Sequence, residues 1–432
     1  MKEGLGAPAQ GALPEQPEAA APGLRRNAIL QKIAHLFSGS AAAQGLTALT
    51  LLLTARQLGL ELYGQYTLCF ALAGMLSVLF DLGSDHLLLR DGGRQPARLG
   101  RLAGSTLGLK TALGAAWLGL FALLGGRLDA GDYPYSLLLI AAGAVLVDHL
   151  LQSILTAFKA ALHARTVSLL DAGSDGLWLL GTLLLIGGGN VDPRLYAWVR
   201  LGAALLGVLA GLLLLWRRAG LSFSPPAARG ILRQAPPFAA SDALSLASMR
   251  QDLLILGFVL GDAAAGLYSP AVNLVNALFL APAAVYSVMV PILGRLYATD
   301  EAQARRSAGR MILLMAVLGA AMALAFYLGA PAALVLLGKS YTGVTEILRI
   351  LSLVLLFKCG SFAMAAIIVV TGRQTRRTLY QVFTVAVNAG LNLLVVGRFG
   401  VAGAAWVYVF TEALVLAGYS LIALRGQPRP EG

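Results

Sequence analysis

The chain contains a succession of apolar segments of about 20 residues, and these constrain its fold more than any other feature. Examples are LTALTLLLTA at 46–55, LLLIAAGAVLV at 137–147 and MILLMAVLGAAMALAFYLGA at 311–330. A helix that rises about 1.5 Å per residue needs about 20 apolar residues to cross a bilayer, whereas β-barrel strands would alternate over about 10. The composition agrees, since 58% of the 432 residues are hydrophobic and 12% are charged. The sequence therefore predicts an all-α integral membrane protein.

Glycine, proline and charge clusters divide the apolar sequence into about twelve predicted transmembrane helices. They cover 33–55, 63–83, 102–125, 134–156, 166–188, 194–216, 236–258, 267–294, 310–330, 346–370, 378–397 and 401–424. The first residues are rich in Ala, Pro and Gly without a long apolar core, which is typical of a disordered tail rather than a signal peptide. The predicted domains are a disordered cytoplasmic tail at 1–26, an N-terminal six-helix bundle at 27–218, a cytoplasmic linker at 219–235, a C-terminal six-helix bundle at 236–424 and a cytoplasmic tail at 425–432.

Basic residues indicate how the helices lie in the membrane, because cytoplasmic loops hold an excess of Lys and Arg. With the N-terminus inside, the predicted inner segments carry about 23 of the 33 basic residues, and the outer loops carry about five. This asymmetry predicts an even number of spans with both termini in the cytoplasm. It also accounts for most of the net charge of +12. A nucleic-acid partner is not expected, because it would need basic residues clustered with aromatics on one surface.

One short pattern occurs twice. The sequence LGLELYGQY at 58–66 and the looser copy LGDAAAGLY at 260–268 share L-G-x-x-x-x-G-x-Y, 202 residues apart (260 minus 58). Both copies fall on a predicted outer turn between the first two spans of a six-helix half. Six is even, so the halves would share one orientation and be related by a pseudo-two-fold axis along the membrane normal, as in transporters that rock between two lobes. The alternative is that turns favour Gly and membrane interfaces favour Tyr without any duplication.

The sequence gives little support to several other kinds of site. The two cysteines, Cys69 and Cys359, lie in apolar segments, and the four histidines lack metal-ligand spacing, so neither a disulfide framework nor a metal site is expected. The segment ALVLLGKS at 333–340 resembles a phosphate loop, but its first position is Ala and it falls on the outer side, so we expect no ATP. No paired carboxylates or nucleophile and base stand out, which argues against an enzyme.

Six segments, taken in order, resemble a known family of transporters. They are RQLGLELYGQY at 56–66, DLGSDHLLLR at 81–90, QDLLILGFVLGDAAAGLYSPAVNL at 251–274, VPILGRLY at 290–297, LLGKSYTG at 336–343 and NAGLNLLVVGRFGVAGAAWVY at 388–408. Together they resemble the polysaccharide-transporter, or O-antigen flippase, branch of the multidrug/oligosaccharidyl-lipid/polysaccharide (MOP) superfamily, over roughly 30–424. The resemblance implies two six-helix bundles in a V around a central cavity, in a bacterial inner membrane. It also implies that polyprenyl-pyrophosphate-linked oligosaccharide is flipped to the outer leaflet, beside glycosyltransferases inside and a polymerase outside.

Ionisable side chains at membrane depth are the candidates for cargo contacts, because they are costly there unless they face a cavity or a partner. Arg250 in the seventh span is the first candidate, since a guanidinium can bind a pyrophosphate through two hydrogen bonds. A structural ion pair with Asp252 or Asp242 is the alternative. Lys358, near the middle of the tenth span, is the second candidate cation. With the two asparagines that the resemblance places near the cavity, the predicted cavity residues are Arg250, Lys358, Asp252, Asp242, Asn273 and Asn276.

Other charged residues suggest ion coupling and gating. Asp171 and Asp175 are four residues apart on one helix face and form a candidate H+ or Na+ site if transport is ion-coupled; pairing with Arg165 is the alternative. Asp81, at the inner end of the second span, lies near Arg90 in sequence. A gate-closing pair and simple anchoring are both open for these two residues.

Two more basic residues, Lys110 and Arg200, lie within predicted spans. We expect each to extend along its helix toward a membrane interface, because these side chains are long and flexible enough to do so; lining the same basic cavity as Lys358 is the alternative. In the eleventh span, Thr384, Asn388 and Asn392 recur every four residues. This polar stripe is expected to tie helices together by hydrogen bonds rather than to contact sugar.

The mixed charge of the predicted cavity favours an anionic lipid as cargo. The main prediction is a non-enzymatic flippase for lipid-linked repeat units in the biosynthesis of O-antigen, capsule or exopolysaccharide, with no cofactor beyond a coupling H+ or Na+. An ion-coupled exporter of drugs is the alternative, although organic cations would favour a more acidic cavity. A membrane polymerase or ligase is less favoured, because the longest outer loop, about 331–345, is short and carries one lysine.

Overall fold

The computed structural model describes residues 26–128 and 135–424, so the predicted tails at 1–26 and 425–432 lie outside this part of the chain except for Arg26. Within it the chain is helical and contains no strand. The α-helices are α1 (Arg26–Leu76), α2 (Val78–Asp81), α3 (Ser84–Arg94), α4 (Leu99–Leu128), α5 (Tyr135–Ala160), α6 (Ala164–Gly187), α7 (Pro193–Ala219), α8 (Pro225–Gln234), α9 (Pro236–Leu260), α10 (Asp262–Leu278), α11 (Leu280–Thr299), α12 (Glu301–Leu337), α13 (Val344–Val370) and α14 (Gln374–Leu424).

Two of these helices are too long to be single membrane crossings. Helices α1 and α14 each run for 51 residues, about 77 Å at 1.5 Å per residue and more than twice the hydrocarbon thickness of a bilayer. Each is broken by a glycine with positive φ, 76° at Gly59 and 63° at Gly400, a conformation that other residues rarely adopt. Ten helical stretches of the described residues are long and apolar enough to cross a membrane. The two breaks raise the count to twelve, which confirms the predicted number.

The twelve crossings form two six-helix bundles, as the sequence predicted. The N-terminal half contains the two limbs of α1 on either side of Gly59, with α2 continuing the second limb, and α4 to α7. The C-terminal half contains α9, the α10–α11 pair, α12, α13 and the two limbs of α14. The short helices α3 and α8 lie between crossings and pack on α4. We call the end with the turns at Gly59 and Gly261 the motif end, and the opposite end, with α3 and α8, the tail end.

The repeated pattern lies on two equivalent turns at the motif end. Gly59 has φ 76° and ψ −178°, and Gly261 has φ 86° and ψ −178°, so the backbone turns in nearly the same way at both positions. The tyrosines that end the two copies, Tyr66 and Tyr268, are both buried. Equal sequence spacing therefore corresponds to equal local structure.

The second glycine of each copy makes the contact between the halves. A Cβ on Gly64 would overlap the carbonyl oxygen of Asp262, and a Cβ on Gly266 would overlap that of Leu60. Since 60 and 64 become 262 and 266 on adding 202, these are one contact repeated by the pseudo-two-fold axis that relates the bundles. Only glycine allows the backbones to approach this closely.

The hydrophobic core shows where the halves meet. The largest cluster of buried side chains combines residues of both halves, including Tyr63 and Tyr66 of one and Tyr268 and Tyr341 of the other. Two smaller clusters each belong to a single half, one around Phe158 and one spanning Leu293 to Tyr419. The bundles therefore share one core near the motif end and have separate cores elsewhere.

Candidate functional site

A cavity of about 550 Å³ lies between the two halves, and we call it the central cavity. The first limb of α1 lines one side, and α9, α10, α13 and α14 line the other. Five of the six predicted cavity residues line it: Arg250, Asp252, Asn273, Asn276 and Lys358. Asp242, about two turns from Arg250 on α9 toward the tail end, does not.

Arg250 stands out among the cavity residues because its charge is not balanced by a neighbour. Its side chain is exposed to the cavity, and no Asp or Glu oxygen of the described residues lies within ion-pair distance of it. The structure does not bring Arg250 together with Asp252 or Asp242 as an ion pair. Ala48, the repeat equivalent of Arg250 (250 minus 202), also lines the cavity, so the pseudo-symmetric positions face the same space with different chemistry.

Asp252 belongs to a hydrogen-bonded network in the wall of the central cavity. Its side chain is buried and accepts hydrogen bonds from the Asn392 amide at 3.0 Å and the Tyr268 hydroxyl at 3.4 Å. The Asn388 amide donates to the Thr411 hydroxyl at 3.1 Å. The polar stripe of the eleventh span thus ties α9 and the two limbs of α14 together. These bonds hold Asp252 in place, because buried polar groups are costly unless they have partners.

The two asparagines of α10 add neutral polar groups to the central cavity. Asn273 donates to the Ser269 hydroxyl at a long distance of 3.4 Å. Both Asn273 and Asn276 are half-buried and line the central cavity. Their amides therefore offer neutral donors and acceptors beside the charge of Arg250.

Lys358 forms an ion pair that sequence reasoning did not assign. Its Nζ lies 2.6 Å from Oε1 of Glu412 and 5.2 Å from the centroid of the Phe279 ring. The Glu412 side chain is 9% exposed, whereas that of Lys358 is 28% exposed and reaches the central cavity. Glu412 was not assigned to the cavity from the sequence, because it lies on the last span, 54 residues from its partner. The signal available was its rarity, as an acid inside an apolar helix.

A second cavity, of about 460 Å³, lies within the N-terminal half. Asp171 and Asp175 both line it, and the Thr47 hydroxyl donates to Asp175 Oδ2 at 2.9 Å. No ion pair joins Asp171 to Arg165 within the described ranges. Asp148 lines the same cavity, so three carboxylates face one space.

Arg200 does not extend to a membrane interface, contrary to the sequence-based expectation. Its Nη2 donates to Asp148 Oδ2 at 2.8 Å and its Nε donates to the same oxygen at 3.1 Å. The guanidinium lies over the rings of Phe70 and Trp178, 4.5 Å and 4.8 Å from their centroids. A planar cation that has an acid and two aromatic faces within its own bundle gains more from these contacts than from a longer path to water.

Lys110 also differs from its expectation, because it is completely buried. Its Nζ lies 2.5 Å from Asp81 and 2.9 Å from Asp85. His149 Nδ1 lies 2.9 Å from the same Asp81 oxygen. Asp81 is therefore joined to α4 and α5 of its own half and does not pair with Arg90.

At the tail end, polar side chains connect the halves. His86 Nε2 lies 3.1 Å from Asp242 Oδ1, and Arg90 Nη2 donates to the Gln234 side chain at 2.8 Å. Arg90 also donates two hydrogen bonds to Asp91, and these lower the pKa of the Asp91 carboxyl. Asp242 and Arg90 thus lie where α3 meets α8 and α9, away from the central cavity.

An all-helical membrane protein with two six-helix bundles around a polar cavity has the fold of a MOP-superfamily transporter. Three solved structures share it: an inward-facing multidrug resistance MATE family transporter of the MOP superfamily (16% identity over 88% of this chain and 94% of that one, TM-score 0.70), a MOP superfamily transporter from Pyrococcus furiosus Vc1 (15%, 91% and 95%, 0.66) and the eukaryotic MATE transporter AtDTX14 (15%, 92% and 96%, 0.66). At these identities the likeness shows the fold. No curated protein sequence matches the chain significantly.

The family of polysaccharide biosynthesis proteins matches residues 29–297, more than half of the chain, and the protein belongs to this family. The chain thus combines the fold of MOP-superfamily transporters with membership of a family of polysaccharide biosynthesis proteins. This confirms the family resemblance of the six segments.

Proposed function

We propose that the protein flips polyprenyl-pyrophosphate-linked oligosaccharide repeat units from the inner to the outer leaflet of a bacterial cytoplasmic membrane. The observation that carries this proposal is Arg250, an arginine exposed to the central cavity without a carboxylate partner among the described residues. A guanidinium at membrane depth is costly unless it meets an anion. A lipid pyrophosphate would supply that anion and match the two parallel donors of the arginine.

The rest of the cavity supports an anionic head group with sugars attached. Lys358 offers a second cation beside Arg250, while Asn273 and Asn276 offer amide donors and acceptors suited to hydroxyl groups. Such a mixture of charged and neutral polar groups suits a cargo that carries both a pyrophosphate and an oligosaccharide.

We further propose that the tail end faces the cytoplasm, with both termini on that side. The excess of basic residues in the tail-end segments supports this orientation. Since the halves share a core near the motif end, a cargo would reach the central cavity from the tail end. Rocking of the halves would then open the motif end and expose the cargo to the outer leaflet.

Ion coupling through the cavity of the N-terminal half is part of the proposal. Asp171 and Asp175 face this cavity with the Thr47 hydroxyl. Carboxylates and hydroxyls inside a membrane are ligands for Na+ or acceptors for H+. We expect no catalytic step, and we expect the protein to work beside glycosyltransferases inside and a polysaccharide polymerase outside.

The experiment that tests the proposal measures lipid-linked oligosaccharide in a deletion strain complemented with wild type or Arg250→Ala. We expect both the deletion and Arg250→Ala to trap finished repeat units on the inner leaflet, with transport reduced at least tenfold, because a lost charge-assisted contact is worth about 1.5–3 kcal/mol. Arg306→Ala, which removes an exposed arginine of α12 outside the cavities, is the matched control and should transport normally. Unchanged intermediates in the deletion strain would contradict the flippase function.

An ion-coupled drug exporter is the second candidate, because solved structures with this fold include a multidrug resistance transporter. Asp252 and Glu412 would supply the acids that an organic cation needs. The same strains separate the two candidates. Sensitivity to cationic dyes in the deletion strain, with lipid intermediates unchanged, would favour export of small molecules.

A further inference from the structure

The C-terminal half contains its own cavity, of about 260 Å³, which we call the C-half cavity. It extends from Thr411 near the middle of the bundle to Arg377 and Tyr419 near the tail end. Its volume is several times the roughly 30 Å³ that a water molecule occupies in the liquid, and polar side chains line it. Water from the tail end can therefore approach the centre of this half.

The ion pair of Lys358 and Glu412 lies where the C-half cavity meets the central cavity. Both residues line both cavities, as do Ser248 and Tyr408. Lys358 thus reaches the central cavity on one side, and Glu412 lies in the wall of the C-half cavity on the other. The Arg200–Asp148 ion pair also lines two cavities, one within the N-terminal half and one that Arg250 lines as well.

Lys358 is the counter-ion of Glu412. Oε1 of Glu412 lies 2.6 Å from the lysine, and its Oε2 is buried without a hydrogen-bond partner among the described residues. The titratable and charged groups that line the two cavities with Glu412 are Asp252 and Arg250 on α9, Tyr268 on α10, Lys358 on α13, and Tyr408, Arg377 and Tyr419 on α14. Of these, Asp252 is held by Asn392 and Tyr268, and Arg250 lies in the central cavity.

A bound anion changes this balance. A pyrophosphate beside Arg250 would attract Lys358, whose flexible side chain already reaches the central cavity. Glu412 would then be a buried carboxylate without a counter-ion, which costs several kcal/mol inside a membrane. Such a group takes up a proton instead of staying charged.

We propose that Lys358 and Glu412 form a counter-ion switch: binding of a pyrophosphate beside Arg250 draws Lys358 from Glu412, and Glu412 takes up a proton through the C-half cavity. This inference rests on the proposed function and assigns Glu412 as a proton-binding site coupled to the cargo. In the switch, the Lys358–Glu412 ion pair breaks, an O–H bond forms on Glu412 and the proton comes from water in the C-half cavity. Because Glu412 becomes neutral while Lys358 stays charged, the net charge of the central cavity rises by one. This change is the same whether or not Asp252 is ionised.

The sign of the pH dependence follows from linkage. Because anion binding takes up a proton, the affinity for the anion rises as the pH falls. One linked proton changes the dissociation constant about tenfold per pH unit, over the range where Glu412 is ionised in the free protein and protonated in the complex.

Farnesyl pyrophosphate, a short polyprenyl pyrophosphate, is the probe for the test. Proton uptake on binding to the purified full-length protein is measured with a pH dye in weakly buffered detergent solution, near pH 8, where a phosphate group with a second pKa of about 6 is already ionised. We expect wild type to take up about one more proton per bound probe than Glu412→Gln does. We also expect the dissociation constant of wild type, but not of Glu412→Gln, to fall about tenfold from pH 8 to pH 7.

Two further variants keep the result interpretable. Glu346→Gln removes an exposed carboxylate from α13, the helix of Lys358, and should take up protons as wild type does. The double variant Lys358→Met/Glu412→Gln replaces the pair by neutral groups, so it should fold even if Glu412→Gln does not, and should show no linked proton.

The outcomes separate this inference from the proposed function. Binding with equal proton uptake in wild type and in the two Glu412 variants would overturn the switch and leave the pyrophosphate site intact. Failure of wild type to bind farnesyl pyrophosphate would overturn the proposed function and the switch with it. An extra proton in wild type alone would support both.

Discussion

The two ends of the molecule join the halves by different kinds of contact. At the motif end, backbone meets backbone: Gly64 and Gly266 lie against the carbonyl groups of Asp262 and Leu60. At the tail end, side chains meet across water-accessible space, as in the pair of His86 with Asp242, whose side chains are 54% and 29% exposed. The first contact needs a close fit of two main chains, and the second needs only two flexible groups within reach.

This difference has an energetic consequence. Exposed ion pairs contribute about 0–1 kcal/mol, whereas the motif-end contact lies in the hydrophobic core that both halves share, where burying one large apolar side chain contributes about 1.5–3 kcal/mol. The motif-end contact therefore holds the halves together more firmly than the tail-end contact. In this conformation the halves can separate at the tail end at low energetic cost. The motif end opens only when another interaction compensates for the loss of its close contact.

The tail end nevertheless rests on a firm support within the N-terminal half. The chain turns at Leu82 and Gly83, both with positive φ, to place α3 against α9. Asp81 and Asp85, which both pair with the buried Lys110, lie on either side of this turn. The weak contacts between the halves are thus made by α3, which is held firmly within the N-terminal half.

The largest effect is expected from Lys110→Met. Removing the buried cation leaves Asp81 beside His149 and Asp85 beside the Ser153 hydroxyl without the charge of Lys110, which should lower the free energy of unfolding by about 3–5 kcal/mol. The melting temperature in detergent and its recovery in the triple variant Lys110→Met/Asp81→Asn/Asp85→Asn measure this effect. A single variant as stable as wild type would show that the network does not support the turn.

The second effect is expected from Gly266→Ala. Its Cβ would overlap the Leu60 carbonyl, so the halves should separate at the motif end, with a cost of about 1–3 kcal/mol to the closed state. Spin labels at Val191 and Val335, exposed positions near the motif end of each half, should report a longer distance.

Gly45→Ala is the control for this prediction. A Cβ on Gly45 meets no atom within 4 Å, although the residue lies on α1, which carries Gly64. The control should keep the wild-type distance. An unchanged distance in Gly266→Ala as well would mean that the glycine contact does not determine the closure.

The smallest effect is expected from His86→Ala. Loss of an exposed pair should change the free energy of unfolding by no more than about 1 kcal/mol. The distribution of distances between spin labels at Arg218 and Thr375, which are exposed at the tail end, should broaden. The distance at the motif end should stay the same. His163→Ala, within the N-terminal half, should change neither distance; a large shift at the motif end in His86→Ala would contradict the comparison.

The sequence predicts which residues of the spans carry a charge. It does not predict which side chains of other helices lie beside them. Arg250 and Lys358 were found because cations are rare inside spans, and both line the central cavity. Asp242 was placed there too, but position along α9 puts it at the tail end beside His86. The position of a residue along its helix gives the depth of that residue in the membrane. It does not show which helix lies opposite.

The same limit explains the two basic residues whose environments were predicted wrongly. Lys110 and Arg200 were expected to extend toward water, which is the default for a long side chain on an isolated helix. Each instead meets acids on other helices of its bundle, Lys110 at Asp81 and Arg200 at Asp148. Those partners are 29 and 52 residues away, so no local pattern connects them.

The sequence by itself determined the all-helical membrane fold, the twelve crossings and the relation of the halves. These follow from local properties, since apolar length fixes a crossing and the repeated pattern fixes the turns at Gly59 and Gly261. Only the tertiary structure decided which charges are paired, as between Lys358 and Glu412, and which face the cavity without an ion-pair partner in the described part of the chain, as Arg250 does. The physical reason is that electrostatic energy depends on distances between helices and on burial, and packing sets both.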